Sequence, residues 1–129
     1  MKKLVKKAIS SMEKAYAPYS NFNVGAALLD DRGQIHCGVN VENAAFPCGT
    51  CAEQSAISKM IVSGGKHIIK IAVAGKGKIL CTPCGACRQR IREFGSKETE
   101  VIICNEQGVE KIFTIEDLLP QNFGPDNLN

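Results

Sequence analysis

The chain has 129 residues, of which 44% are hydrophobic, 22% charged and 5% aromatic, a composition that excludes a disordered, collagen-like or coiled-coil polypeptide and suits a single domain over residues 1–129. Its net charge of +3, from 16 Lys and Arg against 13 Asp and Glu, is small and dispersed, without the aromatic interleaving of a nucleic-acid surface. No stretch approaches the roughly 18 apolar residues of a membrane span, so neither nucleic acid nor membrane is an expected partner.

Taken in chain order, the N-terminal lysines resemble the start of an export signal, but Lys6, Lys7, Glu13 and Lys14 interrupt any apolar segment behind them. They read as the solvated face of a helix, and the expected location is cytoplasmic. Leu4, Val5, Ala8, Ile9, Met12, Ala15 and Tyr16 recur at helical intervals, predicting an amphipathic helix over 3–16 that Pro18 stops. Phe22–Leu29 and Ile35–Val41, joined by Asp30-Asp31-Arg32-Gly33, carry a hairpin signal. Residues 51–62 return to helical spacing and end at Ser63-Gly64-Gly65, and Ile68–Ala74 reads as a strand buried on both faces.

Pro83–Phe94 is the next helix, with Thr82 as its expected N-cap and Pro83 at its first position. Strands follow at Val101–Cys104 and Val109–Phe113, and Thr114 caps a last short helix, Ile115–Leu119. The order α-β-β-α-β-α-β-β-α predicts a layered α/β domain, a three-layer sandwich in which helices flank a mixed sheet of about five strands.

Seven cysteines stand out in a chain of this size. An odd number argues against a disulfide scaffold and for thiols that bind metal or do chemistry. Two segments hold the informative spacing, Phe46-Pro-Cys48-Gly-Thr-Cys51-Ala-Glu53 and Cys81-Thr-Pro-Cys84-Gly-Ala-Cys87-Arg88, each at a predicted helix N-terminus that favours thiolate. Two zinc readings compete. Cys48, Cys51, Cys84 and Cys87 together would form a closed structural site, the mark of a zinc-binding nucleic-acid module. Cys51, Cys84 and Cys87 alone would leave a fourth position for water. The second reading accommodates the long intervening segment 52–83 better, because compact paired C-x2-C sites usually have spacers of about 12–20 residues. It also gives the form C-x-E … P-C-x-x-C, the zinc-deaminase signature in which Glu53 acts without being a ligand. A competing role for Glu53 is a capping box with Thr50.

With these residues in view, roughly residues 15–125 resemble the small homotetrameric cytidine deaminases. The likeness lies in Ala15-Tyr-Ala-Pro-Tyr-Ser20, Phe22-x-Val-Gly-Ala-Ala-Leu28, Asn40-Val-Glu-Asn43, Cys51-Ala-Glu53, Pro83-Cys-Gly-Ala-Cys-Arg-Gln89 and Leu118-Leu-Pro120 with Phe123. The resemblance implies one Zn2+ per chain held by Cys51, Cys84 and Cys87, with Glu53 as the catalytic proton shuttle. It implies that Phe22, Asn40 and Glu42 hold a nucleoside, the latter two at the ribose hydroxyls, while Phe46 and Phe123 line the pocket, partly from a neighbouring subunit of a tetramer. The implied reaction is hydrolytic deamination of cytidine and 2′-deoxycytidine in pyrimidine salvage; a deaminase of another aminated heterocycle is the alternative on the same fold.

One departure matters. The family pattern continues C-A-E-R, whereas this chain has Gln54. Three thiolates on Zn2+ leave a net charge of −1, so charge compensation must come from elsewhere, from the helix N-termini and from Arg88 or Arg90. Cys37 and Cys104 read as small buried hydrophobes, Cys48 and Cys81 have no assigned role, and His36 and His67 read as surface residues without a metal role.

Overall fold

The computed structural model describes residues 2–108 and 110–128. Helix α1 (Lys2–Ser11) is followed by strands β1 (Val24–Asp30) and β2 (Ile35–Val39), helix α2 (Ala52–Val62), strand β3 (Ile68–Gly75), helix α3 (Gly85–Phe94), strands β4 (Glu100–Asn105) and β5 (Glu110–Thr114), and helix α4 (Ile115–Leu118). The five strands form one sheet in the order β2-β1-β3-β4-β5. Among the described residues β3 and β4 pair in parallel, linked by the crossover through α3, while the other strand pairs are antiparallel, so the sheet is mixed as expected.

Strand periodicity divides the core in two. Ala26 and Leu28 of β1, Ile71 and Val73 of β3, and Val101 and Ile103 of β4 face α2, α3 and α4. Their neighbours Ala27, Ala72, Ala74, Ile102 and Cys104 face α1. Alternation on strands buried from both sides accounts for the continuous apolar runs in these segments, and it makes the three layers. Two glycines set the spacing between layers. A β-carbon at Gly25 would collide with the Ala8 carbonyl of α1, and one at Gly38 would collide with Ala52 O and Ala56 N of α2. Gly38 therefore lets the backbone of α2 lie directly on β2, which fixes the position of the first turn of that helix.

Several boundaries differ from the expected ones. The first helix stops at Ser11 and passes through a 3-10 turn, Met12–Lys14, because Tyr16 leaves it to form a bridge with Val41. Strand β1 starts at Val24, not Phe22, and β2 ends at Val39, not Val41. Val109, the expected start of β5, lies outside the described residues. The cap at Thr114 forms as expected: its hydroxyl accepts from Asp117 N at 3.1 Å and Asp117 Oδ2 accepts from Thr114 N at 2.9 Å.

His36 is a correction. It is buried, with its Nε2 2.8 Å from Asp30 Oδ2, at the turn where β1 meets β2. Asp30 also accepts from the backbone N–H groups of Arg32 and Gln34. Burial would raise the Asp30 carboxyl, but the His36 hydrogen bond, these N–H groups and the Arg32 charge hold it well below the usual carboxylate range. Cys104 is buried as expected, Cys37 is half-buried, and His67 is on the surface.

Candidate active site

Cysteines themselves occupy the two helix starts. Cys51 is the N-cap of α2 and Cys84 the N-cap of α3, both with extended backbone and neither helix capped by a side chain. This corrects two expectations: Thr82 and Pro83 precede the cap of α3, and the Thr50–Glu53 capping box does not form because Thr50 pairs with Val41 instead. Glu53 is thereby released from a capping role. The thiols meet the free N–H groups and the positive end of each helix dipole, the environment that favours thiolate.

Cys87, one turn into α3, faces α2. The Cys51 sulfur, the Cys87 sulfur and a Glu53 carboxylate oxygen all lie within 4.8 Å of one another. The two thiols act on each other in opposite directions: the neighbouring Cys87 thiol lowers Cys51 to about 6, and Cys51 together with burial raises Cys87. Glu53 is only 5% exposed, and burial pushes its carboxyl up to about 7, with the Cys51 charge adding to the shift and its own backbone N–H opposing it. Two sulfurs and a carboxyl group so close together suit zinc, for which thiolate is a preferred donor. The Cys84 sulfur falls outside this cluster, on an exposed residue at its rim, and Cys48 is exposed on the 3-10 turn Phe46–Cys48, also outside it. Of the two expected cysteine sets, the four-cysteine site and the Cys51–Cys84–Cys87 triad, the cluster thus holds only Cys51 and Cys87, with Glu53 as its third member.

A cavity of about 460 Å3 opens from Cys51, a size that suits a small polar ligand. Asn40, Glu42 and Phe46 line it, together with Tyr19, Ser20 and Asn43, for which the residue pattern suggested no role. Asn40 and Glu42 flank Val41, which makes only isolated bridges, so their common orientation comes from those bridges and not from a strand. Both are anchors as well as lining. Asn40 accepts from Val24 N at 2.9 Å and donates to Phe22 O at 2.9 Å. Glu42 accepts from Tyr19 N at 3.0 Å, from Ser20 N at 3.1 Å and from the Ser20 hydroxyl, and that hydroxyl lowers its carboxyl further. Phe46, 76% exposed, meets Tyr19 edge-on with ring centroids 6.2 Å apart.

Phe22 lies beside this cavity, in a groove with Lys76–Cys81, and Phe123 lies away from both. Phe123 is 56% exposed; its carbonyl accepts from Gln89 Nε2 at 2.8 Å, and buried Arg92 holds the flanking tail through Asn122 and Asp126. The ring is thus presented outward from a tethered tail. Arg88 corrects an expectation, for its Nε and Nη1 are each 2.7 Å from backbone carbonyls, of Pro83 and Leu118, and it ties the start of α3 to α4. Arg90, not Arg88, reaches the sulfurs, with Nη1 3.5 Å from Cys87 Sγ and 3.9 Å from Cys51 Sγ. Gln54 lies next to Cys51, its Oε1 3.8 Å from Cys51 Sγ.

Residues 1–104 match the family model described as the cytidine and deoxycytidylate deaminase zinc-binding region. The chain belongs to the cytidine and deoxycytidylate deaminase family. Zinc is the cofactor of this family, and the cysteine and glutamate cluster fits it. Among deaminase relatives, the chain is 41% identical to the cytidine deaminase of Halalkalibacterium halodurans, over 98% of this chain and 96% of that protein. The crystal structure of cytidine deaminase from Burkholderia pseudomallei superposes with a TM-score of 0.89 at 42% identity, covering 95% of this chain and 98% of that one. That of Mycobacterium tuberculosis gives a TM-score of 0.84 at 33% identity, covering 95% and 96%. The deaminase fold, with its mixed five-stranded sheet between helical layers, is thus the one expected from the residue pattern. No helix among the described residues is long and apolar enough to cross a membrane.

Proposed function

We propose that this chain is a zinc-dependent cytidine deaminase, a single catalytic domain over residues 1–129 that hydrolyses cytidine and 2′-deoxycytidine to uridine and 2′-deoxyuridine with release of ammonia. The observation that carries this reading is Glu53: a buried carboxyl group raised to about 7, clustered with two cysteine sulfurs, one of which, on Cys51, belongs to the lining of a cavity of about 460 Å3. A carboxyl group poised near neutrality can take a proton and return it, which is what hydrolysis at an amidine carbon requires.

Cys51, Cys84 and Cys87 hold the zinc in this reading, supported by the C-x-E … P-C-x-x-C pattern, by the closeness of the Cys51 and Cys87 sulfurs and by the position of Cys84 as N-cap of the helix that carries Cys87. Zinc held there would lower the pKa of a water molecule from about 15.7 towards 7, the chemistry that makes a nucleophile available at neutral pH. Glu53 takes the proton released by the water, gives it to N3, and then helps deliver a proton to the departing amino nitrogen. The C4–N bond breaks, the new C4–O bond becomes the uracil carbonyl, and ammonia leaves. Asn40 and Glu42 bind the ribose hydroxyls, Glu42 offering a carboxylate already oriented by the 19–20 segment. Phe22 and Phe46 flank the base, and Phe123 reaches a neighbouring subunit of a homotetramer, a role supported by its outward display on a tethered tail. The enzyme works in the cytoplasm, in pyrimidine salvage.

Ultraviolet spectroscopy tests the reading. Incubation of the zinc-loaded protein with cytidine should convert the spectrum to that of uridine with stoichiometric ammonia, and Glu53→Ala should lower the rate by at least about 10²–10⁴-fold while keeping its zinc. Full activity in Glu53→Ala would refute the mechanism. Failure of the native protein to turn over any cytosine nucleoside would refute the substrate assignment.

A further inference from the structure

A zinc site built from Cys51, Cys84 and Cys87 joins three thiolates to a divalent ion, which leaves one uncompensated negative charge. Two side chains stand over the sulfurs from opposite helices. From α2, Gln54 brings a neutral amide, 3.8 Å from Cys51 Sγ. From α3, Arg90 brings a cation, and one nitrogen, Nη1, spans both sulfurs, at 3.5 Å from Cys87 and 3.9 Å from Cys51. Arg90 follows Cys87 by three residues, so one helical turn stacks the guanidinium over that thiol. The other candidate cation, Arg88, is committed to the carbonyls of Pro83 and Leu118. Gln54 and Arg90 also line the same groove between the helices, together with Ile57 and Phe94, so their side-chain ends share one small region of space.

We propose that Arg90 is the positioning residue of the metal centre: its guanidinium, bridging Cys51 and Cys87 from α3, balances the charge of the loaded site and locks the two helix starts together, a duty that Gln54 on α2 cannot perform. The inference rests on the assignment of zinc to these cysteines. It concerns the two sulfurs and not the nucleoside, so it can be judged independently of the substrate. Because Gln54 already reaches Cys51 Sγ and shares a groove with Arg90, the cation is required at a place in space and not at a place in the sequence. Arginine at 54 should therefore substitute for arginine at 90.

The experiment compares zinc-loaded native protein, Arg90→Met, Arg90→Lys and the double variant Arg90→Met/Gln54→Arg. Methionine keeps an apolar stem in the groove and removes only the cation. Zinc affinity is read by chelator competition, and kcat and KM by cytidine turnover. Arg90→Met should bind zinc about 10–100-fold more weakly, the usual cost of losing a partner of a metal ligand, with kcat reduced and KM within about threefold of native. Arg90→Lys should fall between, because lysine keeps the charge but its shorter stem stops short of the place that Nη1 occupies between the two sulfurs. The double variant should recover most of the affinity, which a simple packing role at position 90 would not allow. Native zinc affinity in Arg90→Met overturns the proposal, as does loss of affinity that Gln54→Arg fails to restore. If the native protein holds zinc but deaminates no cytosine nucleoside, the substrate reading falls, and chelator competition still decides the role of Arg90.

Discussion

Glu53 lies in the first turn of α2, and Asp30 lies beneath Gly65, just past the far end of the same helix. Both carboxyl groups are buried, at 5% and 1% exposure, yet Glu53 is raised to about 7 whereas Asp30 is held below the usual range. Burial pushes both upward, so the difference lies in their partners. Asp30 accepts from His36, from the N–H groups of Arg32 and Gln34 and from the Arg32 side chain. Glu53 has its own backbone N–H, the Arg90 charge and Cys87 on the favourable side, and the Cys51 charge against it. A fully satisfied carboxylate is a fastener; an under-satisfied one keeps a proton within easy exchange at neutral pH.

Substitution should separate the two roles. The largest effect belongs to Glu53→Gln, which should lose about 10²–10⁴-fold in kcat while its urea unfolding midpoint stays level or rises. A kcat near native would erase the contrast. Asp30→Asn should behave in the reverse manner, losing about 2 kcal/mol of stability as charge-assisted hydrogen bonds are broken, with kcat per folded molecule retained. Equal stability in the two proteins would show that the hairpin cluster contributes nothing.

pH sharpens the contrast further, in metal-free protein followed by urea unfolding at a series of pH values. The folded carboxyl of Asp30 lies below its unfolded value of about 3.9, so its stabilisation is complete above about pH 4 and is lost as pH falls. Glu53 works in the opposite direction. Between its unfolded value of about 4.3 and its folded value of about 7 the native state holds a proton that the unfolded chain has released, so stability falls as pH rises through that range. Glu53→Gln should flatten the neutral limb and Asp30→Asn the acid limb. The smallest effect is expected at Cys48, exposed and outside the cluster, where Cys48→Ser should leave the zinc content of the purified protein unchanged. Loss of metal in that variant would restore the four-cysteine site.

Elements and layers were legible because short apolar runs bounded by turn residues, such as Ile71–Ala74 and Val101–Cys104, fit a central strand buried on both faces. The cysteine pattern was legible because its spacing coincides with helix starts. Local signals misled where a distant pairing won. Thr50 looked like a cap but is bonded to Val41, and Tyr16 fitted the first helix but is drawn out of it by the same residue. Asp30 and His36 stand six apart at a turn, and no local rule shows that Gly65 will cover them. Arg88 and Arg90 were equally plausible by type. Only the packing of α4 against α3, which supplies the Leu118 carbonyl, separates them.

Gly38 gives the fold a further property. It lies on β2, an outer strand of the sheet, and carries no chemistry, yet its missing side chain is the gap into which Ala52 and Ala56 of α2 settle. Cys51 and Glu53 are carried by that helix, whereas Cys87 is carried by α3, which has no such seat on β2. The separation between the two halves of the centre is therefore gauged by an absence. A single added methyl group at position 38 would act like a shim, lifting one half relative to the other and detuning a proton-transfer distance without altering any reacting atom.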